Sequence, residues 1–188
     1  MDNQSDEIKP WKTLSSSVAL NEKWFTVRKD TIELPSGKVI DDYFVWLSPS
    51  IAVAIPYTSD GKFVICQQYR HAAGKIMYQF PAGAVDKNET NEEAARRELV
   101  EETGYTSDDF EHLVDTAAYA TKLTGWQHVY LARNAKLTQE PHNDVNEPTK
   151  VLLVSPKELM DLIVTNQFQL PESLAGALLA FRALKLDV

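Results

Sequence analysis

Three glutamates, Glu98, Glu101 and Glu102, are spaced so that a helix of about 3.6 residues per turn sets their carboxylates on one face. Like charges so placed repel by roughly 0.2–0.5 kcal/mol per pair on an exposed helix, and by more where water is thin. A hard divalent cation relieves that repulsion. Mg²⁺ and Mn²⁺ take oxygen ligands, keep several waters and are commonly shared between a few carboxylates and substrate phosphates. Glu89 adds a fourth acid upstream, in Pro81-Ala82-Gly83-Ala84-Val85-Asp86-Lys87-Asn88-Glu89, where Gly83 admits backbone conformations closed to other residues. Ala94 and Ala95 lie one turn before Glu98 and leave a flat ridge that lets a loop approach the acids. Turn, acid and acidic helix read as one unit able to hold metal where phosphate binds. A solvated acidic helix face is the competing reading of the same glutamates.

Positioning those acids requires a helix with defined ends. Residues 91–103 are rich in Ala, Glu and Arg, and Gly104 supplies the stop. Upstream, 51–55 reads as an apolar strand, Ser59-Asp60-Gly61-Lys62 as a hairpin turn and 63–69 as the returning strand. A strand at 77–80 ends at Pro81. Downstream come strands at 113–119 and 127–131, an acidic loop over 139–147 and a strand at 151–154. A helix at 156–163 follows, with Ser155 as N-cap and Pro156 at its first position, and an amphipathic helix over 173–184 closes the chain. Before all of this, 24–27, 31–34 and 39–46 read as strand material around the turn Pro35-Ser36-Gly37. Such a ribbon is marginal alone, so it must pack on the rest of the chain or on a second copy. Strands, helix, strands and helices in that order favour an α+β fold with a mixed sheet over a doubly wound parallel sheet.

The 188 residues are 44% hydrophobic and 24% charged, the proportions of an ordinary globular domain with a single core. The one cysteine, Cys66, excludes an intramolecular disulfide framework and reads as a small buried hydrophobe in Phe63-Val64-Ile65-Cys66. The start, Met1-Asp2-Asn3-Gln4-Ser5-Asp6-Glu7, lacks the organisation of a signal peptide, and no apolar run approaches a membrane span. A cytoplasmic protein without membrane attachment is expected. Nineteen basic against 27 acidic residues give a net charge of −8, which argues against duplex nucleic acid as a partner. An acidic protein that handles an anion needs a local Arg/Lys cluster or a bound metal. The sequence holds neither a phosphate-binding Gly-rich loop ending in Gly-Lys-Ser/Thr nor a Gly-x-Gly-x-x-Gly turn, so the main support for nucleotide folds of those types is missing.

Gly83, Glu89 and Arg97-Glu98-Leu99-Val100-Glu101-Glu102-Thr103-Gly104-Tyr105, at these spacings, resemble the complete signature of the Nudix hydrolases. The resemblance implies a Nudix fold, a mixed sheet sandwiched between helices, and metal-dependent hydrolysis of a nucleoside diphosphate linked to another group. By matching position it implies Glu98 and Glu102 as metal ligands with the backbone carbonyl of Ala82, and Glu89 as an auxiliary ligand. It implies Glu101 as support for a further metal or the attacking water, and Arg97 as the cation that orients a glutamate.

Gln67-Gln68-Tyr69-Arg70, Gln79-Phe80-Pro81-Ala82-Gly83, the N-terminal strands and the pattern over 170–184 resemble the branch that cleaves ADP-ribose and other nucleoside diphosphate sugars. That branch implies a base from the late loop, which offers Glu140, Asp144 and Glu147, with Glu147 favoured by its place before the strand at 151–154. Arg70 is implied as a phosphate contact, a task that suits a guanidinium fork. Residues 1–47 are implied as a dimerising strand extension and 48–188 as the Nudix domain, in a homodimer whose Trp24 and Phe25 stack on the nucleobase. Tyr43, Trp46 and Trp126 are further aromatic candidates, whereas His128, alone in its strand, reads as a structural histidine. The expected reaction releases a nucleoside monophosphate and a sugar phosphate from an ADP-ribose or GDP-mannose type of substrate, with Mg²⁺ or Mn²⁺. A triphosphate or dinucleoside polyphosphate pyrophosphatase is one alternative. A non-catalytic nucleotide-binding module is another, against which the intact Glu98, Glu101 and Glu102 weigh.

Overall fold

The computed structural model describes residues 7–142 and 148–187. The chain forms two compact units, one running through Ser48 and taking in Tyr119–Thr124, the other holding Pro49–Ala118 and the chain from Gly125 on.

The first unit is a three-stranded antiparallel sheet of β1 (Lys12–Glu22), β2 (Phe25–Glu33) and β3 (Val39–Leu47), with β2 central. β1 has no counterpart in the sequence reading. Its pairing with β2 slips between Thr13 and Ser15 and again between Val18 and Leu20, and each slip breaks the two-residue alternation by which a strand is recognised. β2 is one strand where the sequence suggested two pieces, because buried Asp30 in its middle is neutralised by Arg28 at 2.8 Å. The turn into β3 closes with the Gly37 amide donating to the Leu34 carbonyl at 2.8 Å. Tyr119–Thr124 joins this unit through β3. The Trp46 amide donates to the Lys122 carbonyl at 2.7 Å and the Thr124 amide to the Trp46 carbonyl at 3.2 Å.

The second unit is built on an eight-stranded mixed sheet. Its strands are β4 (Ile51–Thr58), β5 (Phe63–Arg70), β6 (Lys75–Gln79), β7 (Ala82–Ala84), β8 (Tyr105–Thr106), β9 (Asp109–Thr116), β10 (Gln127–Leu137) and β11 (Thr149–Val154). The path runs β11-β5-β4-β10-β8, with β6 paired to β5, β7 to β4 and β9 to β10. β4 and β10 are parallel, with Val53 opposite Val129, and the other pairings are antiparallel. β7 and β8 are too short to carry a periodic signal, and the sequence reading has neither.

The helices are α1 (Asn91–Thr103), α2 (Pro156–Val164) and α3 (Pro171–Ala183). Alternation along β4 sends Val53 and Ile55 to one face, where they pack with Phe63, Phe80, Leu159, Phe168, Ala177 and Phe181. Ala52 and Ala54 point the other way, onto Ala94, Ala95 and Leu99 of α1. The mixed sheet is thus sandwiched between α1 and the α2/α3 layer. The Ala94/Ala95 ridge faces the sheet, not a loop as the sequence suggested, because methyl against methyl is what lets helix and sheet come close. Among the described residues, no helix is long and apolar enough to cross a membrane.

Both ends of α1 are fixed locally. Thr90 and Glu93 form a reciprocal capping box at its start. At its end Gly104 sits at φ 73° with its amide on the Val100 carbonyl at 2.8 Å. A Cβ there would stand 2.0 Å from the Gln139 carbonyl oxygen. Gly104→Ala is expected to cost about 2 kcal/mol or more, from left-handed strain plus that collision. Urea unfolding reads it as a lowered midpoint, and an unchanged midpoint would refute the role given to this glycine.

Candidate active site

The acids of α1 meet the strand that follows Pro81. Phe80 is drawn against the start of α3, its amide donating to Ser173 Oγ at 3.2 Å, and the Pro81 carbonyl accepts the Ala54 amide at 3.0 Å. β7 then runs antiparallel to β4, with Gly83 opposite Ala52 and Ala82 opposite Val53. This places β7 directly under α1. The Ala82 amide donates to Glu102 Oε2 at 3.2 Å. A Cβ on Gly83 would lie 2.1 Å from Glu98 Oε1 and 2.2 Å from its Cδ, so only glycine lets Glu98 occupy its position.

Arg97 ties the remaining acids together. Its guanidinium holds Glu89 through two bonds of 2.7 and 3.1 Å, contacts Glu98, reaches Glu101 Oε2 at 3.2 Å and donates to the Ala84 carbonyl at 2.9 Å. Hydrogen bonds to Glu89 hold Arg97 charged and keep the Glu89 carboxyl below its ordinary range. Glu98 is pushed up by burial, which outweighs the opposing pull of Arg97. Glu102 goes further, to about 7, through burial and then the charge of Glu98, against the Ala82 amide, Arg70 and Cys66. Glu101 is half exposed. Cys66, fully buried as the sequence suggested, bonds to Glu102, and burial together with that acid raises its thiol well above the ordinary value.

A cavity of about 380 Å³ opens beside this cluster, lined by Ala82 and Gly83 together with Arg70, Gln79, Gln127 and Glu172. Arg70 Nε donates to buried Gln79 at 2.9 Å, which aims the guanidinium. Glu172 is buried at the start of α3 and accepts from Gln127 Nε2 at 3.1 Å, and Gln127 Oε1 in turn accepts from Thr116 at 3.0 Å. The sequence reading missed Glu172 and Gln127. A Pro-Glu pair opening a helix looks like ordinary first-turn chemistry, and only the packing of α3 on the sheet carries Glu172 into a cavity.

Trp24 and Phe25 belong to the N-terminal sheet, where Trp24 is largely exposed under Lys23 and Phe25 packs on Trp46 at 5.0 Å between ring centroids. Tyr43 meets Trp11 edge-on there and lies under the Lys122 ammonium. Glu147 and Asp144 lie outside the described residues, while the start of their loop is tethered by the His142 amide to the Glu101 carbonyl at 2.8 Å.

These residues fit a hard divalent cation. Carboxylates of Glu98 and Glu102 are forced together in a half-buried site, one of them so poorly compensated that it holds its proton up to about pH 7, beside a cradle that a Cβ would fill. Glu98, Glu102 and the Ala82 carbonyl are the candidate ligands, with Glu101 and Glu89 at the margin.

Comparison with known proteins agrees with this architecture. The NUDIX domain family matches residues 47–174, and the chain belongs to that family of hydrolases. More narrowly, residues 11–46 match the nucleoside diphosphate sugar hydrolase N-terminal domain. An ADP-ribose pyrophosphatase of Bacillus subtilis is 27% identical over 160 residues, covering 83% of this chain and 84% of that one. An ADP-sugar pyrophosphatase of Mus musculus is 34% identical over 114 residues, 54% of this chain and 52% of that one. The crystal structure of an ADP compounds hydrolase superposes with a TM-score of 0.84 over 96% of this chain and 97% of that one, at 21% identity, and so shares the fold.

In metal-free protein the Glu102 pKa of about 7 lies above its ordinary 4.5, so the stability carried by its bound proton is complete below 4.5 and is lost as pH rises through 7. Glu102→Gln has no such charge to bury. In EDTA the variant is expected to gain on the wild type by about 2 kcal/mol between pH ~5 and pH ~8. Thermal unfolding across that range measures the gap, and a gap independent of pH would contradict the assigned shift.

Proposed function

We propose that the chain hydrolyses the diphosphate of a nucleoside diphosphate sugar, of ADP-ribose or GDP-mannose type, to a nucleoside monophosphate and a sugar phosphate, with Mg²⁺ or Mn²⁺. The observation that carries this reading is the sharing of Ala82 and Gly83 between the acid cluster and the Arg70 cavity. A substrate seated on Arg70 has its diphosphate beside the glutamates. The names of the Bacillus and mouse relatives point to the same class.

A divalent ion held by Glu98, Glu102 and the Ala82 carbonyl supplies Lewis-acid charge to the diphosphate and makes water a better nucleophile. The protein groups do the rest. Arg97 fixes Glu89, Glu98 and Glu101 in one array and spreads its charge among them. Arg70, aimed by Gln79, receives phosphate oxygens. Water attacks phosphorus, the bridging P–O bond breaks, and the water proton passes to a carboxylate, either half-exposed Glu101 or Glu147 of the late loop. Glu172 accepts hydrogen bonds from sugar hydroxyls. A buried acid in the cavity repels a third phosphate, which favours a nucleotide sugar over a triphosphate or dinucleoside polyphosphate.

Product release is the test, assayed on ADP-ribose, GDP-mannose, UDP-glucose, a dinucleoside polyphosphate and a triphosphate, with Mg²⁺ and with EDTA. Turnover of a nucleotide sugar that EDTA abolishes and Glu102→Gln lowers by roughly 100-fold or more is expected. Preference for the triphosphate, or full activity in the variant, overturns the reading.

The N-terminal sheet supports a homodimer. Phe25, Phe44 and Trp46 are partly exposed on one face of this three-stranded unit, an apolar patch that a second copy of the chain would cover. Trp24 and Phe25 are then available to stack on a base. Sedimentation at micromolar concentration is expected to give a dimer, and a monomer throughout would remove the dimer and the base-stacking role together.

A further inference from the structure

The sheet carries a second group of ligand-bearing side chains, on β9 and β10. His112 Nε2 and His128 Nδ1 each lie 2.7 Å from the same oxygen, Oδ1 of Asp115. The three ligand atoms all fall within 4.8 Å of one another. A regular strand would not gather them, because His112 and Asp115 are an odd number of positions apart and would point to opposite faces. The pairing steps from Val129 opposite Val114 to Tyr130 opposite His112, leaving Leu113 as an extra residue. This β-bulge turns His112 onto the face of Asp115, and Asp115 is the direct cross-strand partner of His128. Tyr130, opposite His112, holds its imidazole edge-on at 5.2 Å between ring centroids. His128 is a satisfied histidine, as the sequence suggested, but it shares its partner Asp115 with His112.

We propose that His112, Asp115 and His128 form a site for a divalent transition ion of the zinc class, Zn²⁺, Co²⁺ or Ni²⁺. Two imidazoles and one carboxylate suit such borderline ions, whereas Mg²⁺ prefers oxygen alone. Ligand bonds of about 2.1 Å set neighbouring donor atoms about 3.4 Å apart around a tetrahedral ion, so the two 2.7 Å contacts open by a fraction of an ångström and the two imidazole nitrogens, within 4.8 Å, adjust to the same spacing. His112 and Asp115 are half exposed, which gives the ion an entry path and leaves a coordination position for water, while His128 is mostly buried and anchors the site. The ion would clip β9 to β10. The site is separate from the α1 acids: His128 lies opposite Ala52 and Ala52 opposite Gly83, which puts two strand spacings, roughly 10 Å, between His128 and the glycine beneath Glu98.

Titration of the full chain with Co²⁺ in excess Mg²⁺, followed by visible absorption, tests this. The expected result is one bound equivalent with the d–d bands of a nitrogen-containing site, displaced by Zn²⁺. The bands should vanish in His112→Ala and in Asp115→Asn, changes at half-exposed positions whose folding circular dichroism verifies, and persist in Glu102→Gln. Absence of the bands in the wild type, their survival in both cluster variants, or their loss in Glu102→Gln would each overturn the proposal.

Discussion

The close approach of α1 to the sheet is the constraint on which the rest depends. Ala52 and Ala54 of β4 and Ala94 and Ala95 of α1 are all fully buried against one another, so two surfaces reduced to methyl groups meet without side chains to hold them apart. A larger residue at any of the four would lift the helix or strain the sheet. With the helix held low, β7 lies directly beneath it, and a missing Cβ on Gly83 becomes a requirement for Glu98 to exist where it does. The opposite face makes such a demand at Gly176 of α3, where a Cβ would stand 2.4 Å from Ile55 Cδ1. Elsewhere on that face Phe63, Phe80, Phe168 and Phe181 fill the space under α2 and α3.

Charge follows from that geometry. A helix pressed on a strand leaves little water around Glu98 and Glu102, while the Arg97 guanidinium is committed to Glu89, Glu98 and Glu101. Glu102 is left with the Ala82 amide, the Cys66 thiol and the charge of Arg70. The site thus concentrates negative charge beyond what the protein itself compensates, which costs stability in the metal-free state and is the property a cation-binding centre needs.

Much of this was legible in the sequence because α1 is a local object. Its composition marks a helix and a glycine marks its end, its acids repeat at helical spacing, and the preceding turn lies within twenty residues. The alternating apolar strands and the capped α2 were legible for the same reason, as was the α+β order of elements. What escaped depends on contacts distant in sequence. β1 hides behind two register slips, β7 and β8 are shorter than any period, and the alanine ridge could be given a loop for a neighbour as easily as a sheet. Glu172 reaches the cavity only through the docking of α3, ninety residues beyond Gly83.

The two donor sets illustrate the difference. The acids of α1 are encoded by spacing along one helix, so a chain read residue by residue announces them. His112, Asp115 and His128 are encoded by the pairing of two strands and by one inserted residue, Leu113, that reverses which face the strand shows. Neither histidine has a local pattern to mark it. Helical periodicity writes a set of oxygen donors into contiguous sequence, whereas sheet register gathers a mixed set of nitrogen and oxygen donors from pieces that acquire meaning only once the ladder is formed.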